Sequence, residues 1–322
     1  MIGHETAMDD ALALLRAGDV VAIPTETVYG LAGDATHGIA VAKIFEAKGR
    51  PRFNPLIAHV ASLEMAEAIA LFDPLSRKLA ESFWPGPITL VLPLRDGSNI
   101  HPLVTAGLDT IALRMPQGFG GQLIHALGRP LAAPSANSSG RISATTAQAV
   151  ASDLGSRIRL IVDGGAAPVG VESTIIKVEG GTITMLRPGG VAAADIEEVA
   201  GENLRRSDDG AKIQAPGMLA SHYAPHARMR LNALQVGEGE ALLEFGPISI
   251  QGADRAIAAL NLSRTGDLRE AAANLFSYMA KLDQTGASTI AVAPVPQTGL
   301  GEAINDRLAR AAAPRDTQLP QS

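Results

Sequence analysis

Two strand-like runs, at 172–178 and 182–186, meet at Gly180-Gly181. A glycine pair between apolar runs supplies the positive φ angles of a tight hairpin, so these two strands pair antiparallel. Other strand-like runs, at 20–23, 56–60, 88–94 and 159–162, instead follow helical stretches at 9–17, 38–47, 62–70 with 74–83, and one from Thr145 or Thr146 to about 154. Asp73-Pro74 and Ser62 read as helix starts, Gly18 and Gly49 as stops. Direct hairpins and helical crossovers in one chain predict an α/β domain with a mixed, twisted sheet, not a purely parallel one.

The 322 residues allow two domains. A polar, weakly periodic stretch at 200–215 reads as a linker, leading into A-P-G-M-L-A-S-H-Y-A-P at 215–225. A smaller unit follows, with strand-like runs at 229–231, 241–245 and 290–294 and helical ones at 267–282 and 302–312. A net charge of -6 argues against a general nucleic-acid coat. The absence of cysteine excludes disulfides, thiolate metal sites and cysteine nucleophiles. His222 and His226 are spaced like metal ligands, but Pro225 disfavours a regular helix and no third ligand stands nearby, so no protein-bound metal is expected. Gly299-x-Gly301 lacks the third glycine of a dinucleotide fingerprint, with Ile304 in its place. The first residues carry no signal-peptide pattern and no apolar run is long enough to span a membrane, so the cytoplasm is the expected compartment.

The chemistry concentrates in loops. K-G-R-P-R-F-N-P-L at 48–56 carries Lys48, Arg50 and Arg52 at alternate positions, braced by Pro51 and Pro55. Extended backbone would turn the three cations the same way, as a site for a polyanion such as a nucleoside triphosphate; the alternative is a solvated basic turn. P-T-E-T-V-Y-G at 24–30 gathers three hydroxyls and Glu26 at a strand end, where open α/β sheets bind ligands; the alternative is an ordinary polar turn. Arg114 lies inside an apolar strand and needs an anionic partner, from the protein or from a ligand. P-S-A-N-S-S-G-R-I-S at 134–143 lacks both the P-loop ending and the hydrolase elbow; it offers donors to phosphate oxygens, or simply caps the next helix.

Together these loops resemble the threonylcarbamoyl-adenylate synthases. The matching stretches are P-T-E-T-V-Y-G-L at 24–31, K-G-R-P-R-F-N-P-L-I-A-H at 48–59, W-P-G-P-I-T-L-V-L at 84–92 and A-P-S-A-N-S-S-G at 133–140, followed by G-V-E-S-T-I-I at 170–176, L-R-P-G at 186–189 and P-G-M-L-A-S-H-Y-A-P at 216–225. The last stretch and the second unit resemble the longer, two-domain form. The resemblance implies a YrdC-like twisted mixed-sheet catalytic domain over 1–203, a linker over 204–227 that folds across the active site, and a smaller Rossmann-like α/β domain over 228–322.

It also implies a reaction: L-threonine, bicarbonate or CO2 and ATP, with Mg²⁺, give threonylcarbamoyl-AMP and pyrophosphate, and downstream transfer machinery carries the product to the adenosine beside a tRNA anticodon. No membrane association and no direct tRNA binding are implied. By resemblance, Lys48, Arg50 and Asn54 face the triphosphate, with Lys48 and Arg50 as the catalytic pair. Ser135, Asn137 and Ser143 bind ATP from the other side, and Arg187 and Tyr223 complete the nucleotide site. Thr27, His59, Thr110, Arg114, the backbone of Ala133, and Ser173 hold threonine and its carbamate. Two rival readings are an RNA-binding module using the basic loop, which the acidic balance opposes, and a related transfer from carbamoyl phosphate, whose enzymes carry different flanking domains.

Overall fold

The computed structural model describes residues 1–3, 6–207, 214–218 and 221–314. The chain divides into two compact units, one of 1–139 with 143–218 and one of 140–142 with 219–322.

The described strands of the first unit are β1 (Ile2–Gly3), β2 (Val21–Ile23), β3 (Gly30–Asp34), β4 (Ile57–His59), β5 (Ile88–Pro93), β6 (Thr110–Arg114), β7 (Leu131–Ala132), β8 (Val162–Asp163), β9 (Thr174–Glu179), β10 (Thr182–Arg187) and β11 (Arg205–Arg206). Its helices are α1 (Met8–Arg16), α2 (Gly38–Lys48), α3 (Leu63–Glu67), α4 (Pro74–Phe83), α5 (Pro102–Thr105), α6 (Phe119–Leu127), α7 (Ala147–Leu154) and α8 (Ala193–Ala200). Nine of the strands form one sheet in the order β11-β10-β9-β5-β6-β4-β7-β3-β2. Pairing is parallel at β11–β10, β9–β5 and β6–β4 and antiparallel elsewhere, which is the mixed sheet the connections predict. The β9–β10 hairpin turns at Gly180 and Gly181, both at positive φ.

Several elements escape sequence reading, β3 among them. Its sequence, G-L-A-G-D, is poor in strand formers, yet it is buried along its whole length between β2 and β7. Gly33 is what lets α2 lie against it, since a Cβ there would stand 3.3 Å from the Ala40 carbonyl and 3.2 Å from Ile44. The strand is held by its neighbours and by that close packing, neither of which has a local signature.

Helix α2 delivers the basic loop. Its buried face runs through Ala40, Val41, Ile44, Phe45, Ala47 and Lys48. Ile39, although apolar, lies off that face and is 64 % exposed. Lys48 thus stands at i+7 from Val41 and i+4 from Ile44, on the face that enters the core. Gly49 stops the helix in the left-handed conformation, with the Gly49 and Arg50 amides donating back to Glu46 and Phe45.

The second unit holds a parallel four-stranded sheet, order β12-β15-β13-β14: β12 (Arg228–Arg230), β13 (Glu240–Glu244), β14 (Ala259–Asn261) and β15 (Thr289–Val292). Helix α9 (Leu268–Asp283) packs on β13 and β14, and α10 (Leu300–Ala312) on β12. Of the stretch 204–227 expected as a linker, Arg205–Arg206 extends the large sheet, Ala215 is buried in the first unit, and 208–213 and 219–220 lie outside the described residues.

Candidate active site

The basic loop does not present three cations. Lys48 and Arg50 are buried, but Arg52 is exposed. The Asn54 amide donates to the Pro51 carbonyl, and that turn breaks the extended alternation on which convergence of all three depended. Lys48 Nζ donates to the backbone carbonyls of Ser135 and Asn137, each at 2.5 Å. Arg50 donates to the carbonyls of Asn54, 3.2 Å away, and Pro55, 2.8 Å away. Burial, and then the neighbouring Arg50 charge, hold the Lys48 ammonium well below its usual pKa. Asn54 is buried, and neither atom of its side-chain amide has a hydrogen-bond partner. A buried amide left unpaired is costly unless a ligand or water fills the gap.

The loop at 134–139 approaches from the other side. Ser135 and Asn137 meet Lys48 through their carbonyls, while Asn137 Nδ2 donates to the Ser138 carbonyl at 2.8 Å. Ser143 is buried and donates to Glu172 Oε1 at 2.5 Å. Glu172 also acts electrostatically on Lys48. It is a site carboxylate that residue-type reasoning passed over, although it stands within G-V-E-S-T. Arg187 ends β10 just past a register shift and donates to the Ser173 carbonyl at 2.9 Å and to Pro216 at 3.3 Å.

A second cluster surrounds Arg114. Its Nη2 lies 2.6 Å from Glu26 Oε1, its Nη1 donates to Thr27 Oγ1 at 2.8 Å, and its Nε donates to the Gly86 carbonyl at 3.2 Å. The buried cation therefore has a protein carboxylate as partner. Glu26 also accepts from the Gln117 amide at 3.1 Å. A cavity of about 330 Å³ lies against Glu26, walled also by Thr25, Gln117, Phe119 and the 164–168 segment; Arg114 and Thr27 do not line it. His59 pairs with Arg114 across β4 and β6, and its buried Nε2 has no partner. Ser173 Oγ lies 2.7 Å from Thr89 Oγ1 and 3.3 Å from Arg187 Nη2. Ala133 is buried and its amide donates to the Ile57 carbonyl at 3.2 Å.

Thr110 opens β6, four residues and about 13 Å along the strand from Arg114. Tyr223 belongs to the second unit, where its ring lies 5.4 Å from Phe276, 4.1 Å from His222 and 5.2 Å from the Arg307 guanidinium carbon.

Burial, then the Arg114 charge, push the His59 imidazole well below its usual pKa of 6.5. In the folded protein His59 therefore stays neutral at pH values where the unfolded chain takes up a proton. Stability linked to His59 is fully present above pH 6.5 and falls as the pH drops towards the lowered folded value. Chemical denaturation between pH 7.5 and 5 is expected to show a shallower acid loss in His59→Gln than in the parent; identical slopes would remove His59 from this titration.

The fold and these loops define a class: a mixed-sheet α/β protein that gathers buried cations, hydroxyls and amides where strands and helices end, suited to holding a polyanion beside a small polar molecule. The family model described as "Telomere recombination", covering Sua5, YciO and YrdC, matches residues 13–189, and the C-terminal domain of threonylcarbamoyl-AMP synthase matches 191–313. Threonylcarbamoyl-AMP synthase of Pyrococcus abyssi is 42 % identical, over 94 % of this chain and 92 % of its own length. That of Bacillus subtilis is 41 % identical, over 97 % and 94 %. The crystal structure of P. abyssi Sua5 complexed with L-threonine superposes with a TM-score of 0.85 at 39 % identity, covering 95 % of this chain and 94 % of that one. The chain belongs to the two-domain threonylcarbamoyl-AMP synthase family, nucleotidyl-transferring enzymes of tRNA modification.

Proposed function

We propose that the first unit condenses L-threonine, bicarbonate or CO2, and ATP into threonylcarbamoyl-AMP, releasing pyrophosphate. The threonine amine adds to CO2 with loss of a proton, giving a carbamate. A carbamate oxygen then attacks the α-phosphorus, the bond from that phosphorus to the oxygen bridging it to the β-phosphorus breaks, and pyrophosphate leaves. No protein nucleophile is required, only positioning and charge neutralisation. The observation that carries this reading is the pair of facing loops: two buried cations, Lys48 and Arg50, beside an unpaired Asn54 amide and the 135–137 backbone. An ammonium has three N–H donors, and Lys48 has two of them on carbonyls, so the third can meet a phosphate oxygen.

Arg187 and Ser143 extend the nucleotide side. Thr27, His59, Arg114, Ala133 and Ser173 serve threonine and its carbamate, with Thr110 reached at the far end of β6. Tyr223 is assigned to the nucleotide on the resemblance alone. Among the described residues no cluster of three or more His, Asp or Glu could hold a metal. The chemistry of the site fits Mg²⁺ carried on the triphosphate. When bound, Mg²⁺ would neutralise phosphate charge. The adenylate would pass to a tRNA-modifying transfer enzyme. Among the described residues no helix is long and apolar enough to cross a membrane.

Incubation with ATP, Mg²⁺, L-threonine and bicarbonate is expected to yield threonine-dependent pyrophosphate and the adenylate by mass spectrometry. Pyrophosphate release indifferent to threonine would overturn the reading. A site that hydrogen-bonds a hydroxyl rejects analogues lacking it by far more than one that merely excludes a methyl group. Serine is therefore expected to be the best substitute for threonine and 2-aminobutyrate a much poorer one, compared by kcat/KM; the reverse ranking would show that the β-hydroxyl is not read.

A further inference from the structure

Asp153 and Arg157 take no part in the assignments above, yet they join the two loops of the nucleotide site. Asp153 lies near the end of α7, a helix capped by Thr146. Its carboxylate accepts twice from Ser138: from the backbone amide at 2.6 Å and from the hydroxyl at 2.5 Å. Arg157, one turn on, reaches across both loops. Its Nη2 donates to Ser138 Oγ at 2.7 Å, to the Asp153 carbonyl at 2.8 Å and to Asp153 Oδ1 at 3.0 Å. Its Nη1 donates to the Ala47 carbonyl at 2.6 Å, in the last turn of α2. The Ser139 amide donates to the Lys48 carbonyl at 2.8 Å, closing the same seam.

We propose that Asp153 and Arg157 are positioning residues of the nucleotide site. They lock the loop that carries Asn137 and receives Lys48 Nζ onto the helix end that carries Lys48. The proposal rests on the reading of this site as the ATP site.

The chemistry of the pair fits such a role better than one in stability. Both side chains are partly exposed, 30 % for Asp153 and 38 % for Arg157, and ion pairs in that setting add little to folding. What the pair supplies is geometry. A planar guanidinium can hold the Ala47 carbonyl on one nitrogen and the Ser138 hydroxyl on another in a fixed relation, which a lysine ammonium cannot reproduce. If the loop drifts from α2, the Ser135 and Asn137 carbonyls move off Lys48 Nζ, and the ammonium loses its direction. Misplacing a charge-stabilising donor by about 1 Å can cost on the order of 10²-fold in rate.

The test uses the full chain. Arg157→Ala, Arg157→Lys, Asp153→Asn and Ser138→Ala are compared with Arg159→Ala, whose side chain is 74 % exposed and pairs with Asp19 instead. Calorimetric titration with ATP and, separately, with L-threonine is run beside kinetics and thermal melting. Arg157→Ala is expected to weaken ATP binding or lower kcat by about ten- to a hundredfold, with threonine affinity and melting temperature close to the parent. Asp153→Asn, which keeps one acceptor oxygen, is expected to fall between, and Arg157→Lys to rescue poorly. Arg159→Ala is expected to match the parent. Parent-like ATP binding and turnover in both Arg157→Ala and Asp153→Asn would overturn the proposal. So would equal losses for ATP and threonine accompanied by a lower melting temperature, the mark of a merely structural pair. If the parent itself binds no ATP, the reading of the site fails and the proposal goes with it.

Discussion

Lys48→Ala and Arg50→Ala are each expected to lower adenylate formation by about 10²-fold or more, the scale of losing one preorganised charge-stabilising donor. In the proposed reaction, attack on the α-phosphorus places negative charge on the departing pyrophosphate, which the two buried cations at the end of α2 would meet. Burial makes each worth more than an exposed lysine or arginine would be, because water does not screen it. The same burial complicates the experiment. Lys48 is the donor to the Ser135 and Asn137 carbonyls, and removing a buried partner costs about 1–3 kcal/mol for each group left unsatisfied. Lys48→Met, which keeps the aliphatic stem on the buried face of α2, is therefore the companion variant. Adenylate is quantified by mass spectrometry at matched fractions of folded protein, established by thermal melting. Arg50→Ala with parental turnover would take this loop out of the mechanism.

Arg114→Ala is expected to weaken threonine binding more than ATP binding and also to destabilise the protein. The pairing with Glu26 explains the second effect. Both side chains are at least nine-tenths buried, and removing one member of such a pair leaves the other as an uncompensated charge, at a cost of about 3–5 kcal/mol. The single variant thus mixes two losses. Arg114→Met combined with Glu26→Gln separates them, since it removes both charges and roughly keeps volume. The double variant is expected to regain much of the lost stability in urea denaturation while threonine affinity stays low, because the guanidinium beside Thr27 and His59 is gone. Calorimetry reads both ligands. Equal weakening of threonine and ATP in the double variant would mean that Arg114 serves only the fold.

The elements legible in the sequence are those whose signals are local. The hairpin at Gly180-Gly181 needs only two positive φ angles, and the caps at Ser62, Asp73, Thr146 and Asp267 bond within their own first turn. The loops carrying Lys48, Ser135 and Arg187 were legible as clusters of charge and small polar side chains at element ends. Their assignment to one site came from resemblance, because spacing along a chain does not tell which strand ends are neighbours. Helix α6, with F-G-G in its first turn, and α8, with no side-chain cap, offered weak local signals and were missed.

Sequence alone therefore determined the hairpin, the locally capped helices, the mixed character of the large sheet and the inventory of groups available to phosphate. Tertiary structure decided which of those groups are buried and what they pair with. Helical phase and the burial of α2 turned Lys48 inward, while a turn at 51–54 sent Arg52 out to solvent, although both looked equivalent on an extended loop. Packing of β6 beside the 24–30 loop paired Arg114 with Glu26, 88 residues away in sequence. The physical reason is range. Dihedral preferences and caps act over a few residues, whereas desolvation and ion pairing depend on what the folded chain brings within a few ångströms.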